Sequence, residues 1–125
     1  MNLESLEVGK ASITPTSSGD QVALKIVGEI DMQDPSLEIG PYMEKIHNAF
    51  LEGGVKEVEA DFQELKFMNS SGIKVFVNWI MKLNLAPEDK KYKIKILYKK
   101  DVTWQGSSLP VLQKLQPTLI EVVAR

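Results

Sequence analysis

"KFMNSSGIKVFVNWIMKLN", residues 66–84, passes from a short apolar stretch through two serines and a glycine into a segment of helical periodicity. Set at 100° intervals, Ile73, Phe76, Val77, Ile80 and Leu83 fall on one side, which predicts an amphipathic helix over 71–84 facing a sheet. Trp79 and Met81 flank that stripe, and Val75 lies nearly opposite it beside Lys74, Asn78 and Lys82. The apolar arc is therefore about 200° wide, where docking on one sheet needs roughly 100°. Trp79 and Val75 have two readings: another part of the chain covers them, or they anchor a partner, since tryptophan is enriched in interfaces. At the helix start, Asn69 and Ser70 both suit an N-cap, whose oxygen accepts from an unpaired first-turn N–H and whose loss costs about 1 kcal/mol. Gly72 permits close backbone approach at the same point.

Upstream, "QVALKIVGEI" (21–30) reads as a strong strand, with Val22, Leu24 and Ile26 on one face, and Gly28 and Ile30 in the same phase. A turn over 14–20, "TPTSSGD", separates it from a weaker strand. After a loop of turn-formers, Pro41 opens a helix over 41–51 that Gly53-Gly54 stops. "VKEVEADF" (55–62) is the next strand. Downstream of the quoted helix come a break, the strand "YKIKILYK" (92–99), a loop "KDVTWQGSS" (100–108), a helix over 109–115 and a last strand over 118–124. A hairpin followed by alternating strands and helices predicts an α/β fold: a small mixed sheet of four to five strands with helices packed on it.

Composition narrows the function. The 125 residues suffice for one domain with its own core, so 1–125 is expected to be a single domain. A net charge of −2 offers no basic field for phosphate backbones, and nucleic acid is not an expected partner. The lysines of "KKYKIKILYKK" (90–100) alternate with apolar residues, as in a strand with one solvated face. The absence of cysteine excludes thiol catalysis and thiolate metal sites, and the single histidine, His47, leaves little for an imidazole site, so no metal is expected. There is no P-loop or dinucleotide-binding glycine motif, so no cofactor is expected. No apolar run is long enough to span a membrane, and "MNLESLEVGK" lacks a signal-peptide core; the cytoplasm is the expected location.

A serine at a helix start also suits phosphorylation. First-turn N–H groups and the helix dipole stabilise the added charge within the domain, while that charge repels an apolar or acidic partner surface. Here "LKFMNSSGI", following a strand that ends in Asp and hydrophobics, resembles the core motif of STAS domains, the anti-sigma factor antagonist family. "VGEID" (27–31) is similar to that family's strand-and-turn motif, and the order of elements fits over about residues 10–124. The resemblance implies a non-catalytic module that binds an anti-sigma factor of serine-kinase type and is switched by phosphorylation of the motif serine. By position that serine is Ser70, with Ser71 as second choice. The implied partner surface comprises Met68, Asn69, Ser71, Gly72, Lys74 and Val75, with Asp31 beside it and Trp79 as a candidate anchor. Met68, Lys74 and Val75 are expected to be exposed. One residue departs from the pattern: the motif's Asp before the serine is Asn69, which keeps the cap and drops the negative charge. Monomer and dimer are both compatible with these features.

Two other classes compete. A STAS adaptor fixed in a signalling or transport assembly would bind through the same helix without phosphorylation. A serine hydrolase would need Ser70 activated by His47 and oxyanion donors, but no G-x-S-x-G elbow exists.

Overall fold

The computed structural model describes residues 3–125; Met1 and Asn2, the start of the N-terminal stretch read above, lie outside the described residues. The sheet is built around β3 (Gln21–Ile30), whose Val22, Leu24, Ile26 and Ile30 are buried at period two as expected. On one side β2 (Ala11–Ser18) pairs antiparallel with it, followed by β1 (Leu6–Val8). The predicted turn over 14–20 contracts to Gly19-Asp20, with Gly19 at φ +63°, and β2 runs straight through Pro15. Proline is admissible there because β1 covers only Ala11–Ile13, leaving the outer side of β2 without a ladder partner from Thr14 onward.

On the other side β4 (Glu57–Asp61), β6 (Lys93–Tyr98) and β7 (Ile120–Ala124) follow, all parallel. β5 (Leu65–Met68) pairs with the far half of β3. The sheet is mixed, as predicted, but has seven strands instead of four to five. The excess comes from three-residue β1 and from β5. In register, Gln21, Glu57 and Lys93 form one row and Ala23, Glu59, Lys95 and Glu121 the next. These residues make a largely charged, solvated face, and the lysine alternation in β6 is its sequence trace. At the outer edge, Gln113 Oε1 accepts from the Val122 N–H at 3.3 Å.

Helices α1 (Pro35–Glu38), α2 (Gly40–Glu52) and α3 (Ser70–Leu85) pack against one another. The α2 bounds agree with the predicted 41–51. The last helix differs: α4 spans Thr103–Leu112 and ends in a 3-10 turn over Gln113–Leu115, so it begins within the predicted loop. Gly106, Ser107, Ser108 and Pro110 are poor helix formers, and tertiary hydrogen bonds from Trp104 and Gln105 hold the first turn instead.

Candidate functional site

One strand serving two partners creates the site. Residues 21–25 of β3 pair with β4, residues 28–30 pair with β5, and the connection over Phe62–Glu64 steps between them. At the step, Gly28 has φ +98°, and a Cβ there would lie 2.0 Å from the Lys10 carbonyl oxygen, so only glycine fits. The register shifts between Gly28 and Glu29, with Lys66 as the extra residue of β5. Leu65 and Met68 consequently both face the core, while Lys66 and Phe67 face outward.

Backbone groups freed by the step are recovered by α4. Gln105, fully buried, donates through Nε2 to the carbonyls of Phe62 (2.7 Å) and Leu65 (2.9 Å), and its Oε1 accepts from the Lys99 N–H (2.7 Å). Trp104 Nε1 also donates to the Leu65 carbonyl, at 3.1 Å. Neither residue was singled out from sequence, since a lone Gln in a Gly/Ser-rich stretch gives no periodic signal.

β5 delivers the chain to the start of α3. Asn69 is the N-cap: its Oδ1 accepts from the Gly72 N–H at 2.7 Å, as its residue type predicted. Its Nδ2 donates to the Met32 carbonyl at 2.9 Å, joining the helix start to the loop after β3. Ser70 is exposed in the first turn and Ser71 half-exposed. Asp31, at the end of β3, is partly exposed and pairs with Lys10 at 3.3 Å; Lys74, one turn beyond Ser70, is exposed. Phe67, close before Ser70, is 44% exposed, an apolar surface group that the sequence reading passed over.

Four of the expected surface residues belong to the interior. Gly72 packs so closely that a Cβ would meet Met68 Cγ at 2.7 Å and Ile30 Cγ2 at 2.8 Å. Met68 is buried where the bulge turns it inward, which corrects the expectation of exposure. Val75 is also buried, against the same expectation, because α1 and α2 cover that side of α3. Trp79 is buried as well, covered by other parts of the chain. The buried stripe of α3 is Gly72, Val75, Phe76, Trp79, Ile80 and Leu83, rotated from the predicted one so that Ile73 and Val77 are only half-buried.

Trp79 ends in a closed polar cluster. Its Nε1–H donates to the Tyr92 hydroxyl at 2.7 Å, and that hydroxyl lies 2.7 Å from His47 Nδ1. Burial pushes the Tyr92 hydroxyl well above its ordinary range. Burial, then the Lys82 ammonium, lowers His47, with Glu44 opposing. The cluster lies about 13 Å along α3 from Ser70 at 1.5 Å per residue. His47 is thus engaged away from the helix start, and a Ser70–His47 nucleophile pair is not formed.

Comparison with known proteins gives a consistent fold. No family model matches the chain, and no curated protein matches it. Solved structures do. A chain of the Pseudomonas aeruginosa diguanylate cyclase SiaD in complex with its activator SiaC aligns with TM-score 0.68 at 16% identity, covering 98% of this chain and 99% of that one. An anti-sigma factor antagonist from Mycobacterium paratuberculosis aligns with TM-score 0.58 at 17% identity, over 89% and 85%. The Bacillus cell fate determinant SpoIIAA in its phosphorylated form aligns with TM-score 0.59 at 18% identity, over 90% and 92%. A mixed sheet with a broken inner strand position, leading into a helix capped at Asn69, is therefore the STAS-like fold of the anti-sigma factor antagonists and SiaC.

Proposed function

We propose that the whole chain, 1–125, acts as one non-catalytic domain that regulates a protein partner and is switched by phosphorylation at Ser70. The partner class is an anti-sigma factor of serine-kinase type, and the location is the cytoplasm. The observation that carries this reading is the exposed Ser70 hydroxyl in the first turn of a 16-residue helix. The helix dipole stabilises phosphate there, so modification changes the surface without unfolding the domain. The contact surface is the exposed part of the predicted set, Asp31, Asn69, Ser71 and Lys74, joined by Phe67 as an apolar anchor. Met68, Gly72, Val75 and Trp79 support it from within. The test is the intact mass of the protein purified from its own host, wild type beside Ser70→Ala. One added phosphate that vanishes in the variant supports the switch; an unmodified mass in growth and stress alike overturns it.

A specific observation favours the adaptor as second reading. Between α2 and α3 lies a groove of about 380 Å³, lined in part by Met43, Val75, Met81 and Leu85, and Leu85 is 86% exposed. A partner seated there would be indifferent to Ser70, so Ser70→Asp would leave its affinity unchanged.

A further inference from the structure

We propose that Asn69 is a positioning residue whose side-chain amide fixes the loop after β3 to the start of α3, making residues 31–34 and Ser70 one rigid surface. The bonds converge on this residue. Its backbone N–H donates to the Ile30 carbonyl at 3.0 Å, its Oδ1 caps Gly72, and its Nδ2 reaches the Met32 carbonyl 37 positions upstream. Among the described residues, the other side chain from outside the segment that bonds the loop is Lys10, through Asp31. That pair is solvent-exposed and screened, and holds little. Ser36 Oγ and the Leu37 N–H bond Asp34 from within the loop–α1 segment itself. The Met32 carbonyl is therefore the loop's firm attachment to the helix.

The chemistry of that attachment selects an amide. Asn carries an acceptor and two donors on one planar group, so it can cap Gly72 and hold Met32 at once. An ionised carboxylate accepts only. Aspartate at this position would keep the cap, and its charge would favour the helix N-terminus, yet it would set an oxygen against the Met32 carbonyl oxygen. A mere cap would thus tolerate aspartate, whereas the two-ended bond does not. The inference rests on the proposed function only for the importance of this surface; the bond itself is independent of phosphorylation.

The test is backbone 15N relaxation on the unmodified full chain at neutral pH, comparing wild type, Asn69→Asp and Asn69→Ala. In Asn69→Asp the order parameters of residues 32–34 are expected to fall from the rigid range, about 0.85, toward about 0.6, while residues 71–74 stay as ordered as in wild type. In Asn69→Ala, which removes both ends, both segments loosen. Loop order equal to wild type in Asn69→Asp, or loosening of loop and helix start together in that variant, would each overturn the proposal. Because the protein is unmodified throughout, an absence of phosphate at Ser70 would sink the switch and leave this result intact.

Discussion

α3 carries two polar clusters that use hydrogen bonds in opposite ways. At its middle, Trp79, Tyr92 and His47 are each less than 5% exposed, and the Tyr92 hydroxyl joins Trp79 Nε1 to His47 Nδ1. At its start, Asn69 joins three chain segments while Ser70 keeps its hydroxyl in water. A closed cluster specifies how α2, α3 and the chain entering β6 pack, since any partner lost leaves a buried group unsatisfied. The open one fixes a backbone shape and leaves one nucleophilic hydroxyl on the surface. The contrast separates residues that make the domain from residues a partner or kinase can read.

The contrast can be broken most forcefully at Tyr92. Tyr92→Phe strands the Trp79 N–H and His47 Nδ1 together, and about 2–4 kcal/mol of stability should be lost. Urea denaturation followed by tryptophan fluorescence measures it; a loss below about 0.5 kcal/mol, the range of an ordinary surface change, would mean that the cluster is not closed.

Next in size is a pH effect. His47 binds its proton less readily in the folded chain than its ordinary value of about 6.5, because of burial and Lys82. The unfolded chain therefore takes up the proton first as pH falls. The stability is complete above about pH 6.5 and is lost progressively from there down to the lowered folded value. The groups facing His47 across the packing are Tyr92, Lys82 and Glu44. Thermal midpoints between about pH 7.5 and 5 should decline in wild type more steeply than in His47→Gln; parallel curves would remove His47 as the cause.

The smallest effect is expected at the open end. Ser70→Ala should change stability by no more than about 0.5 kcal/mol, because Asn69 supplies the cap. A loss near about 1 kcal/mol would mean that Ser70 itself holds the helix start, and the contrast between the clusters would narrow.

Much of this was legible in the sequence where one face alone decides an element. β3 and β6 announce themselves by alternation, and α3 by its stripe and its Asn-Ser start. β5 was not readable as a separate strand, because the bulge at Lys66 puts Leu65 and Met68 on one side at a three-residue spacing, which suits a helix face and breaks a strand's period of two. Val75 and Trp79 were left open or misplaced because the way α1 and α2 lie over α3 is a tertiary arrangement that spacing along α3 does not encode. α4 escaped because its first turn depends on bonds from Trp104 and Gln105 to a strand some forty positions away. At the site, the residue types at 69–72 gave the cap and the candidate hydroxyl. The bond from Asn69 to Met32 is a long-range pairing that local spacing does not encode.

The extra residue in β5 also bears on how this chain tolerates insertions and deletions. Lys66 points to solvent, and its identity is free to vary within the surface. The bulge also absorbs its loss: without Lys66, residues Leu65, Phe67 and Met68 would follow one another inward, outward and inward against Gly28, Glu29 and Ile30, the plain alternation of a strand. One deletion at the bulge is thus tolerated by the register, whereas a second would turn Met68 outward and carry Asn69 away from Gly72 and Met32.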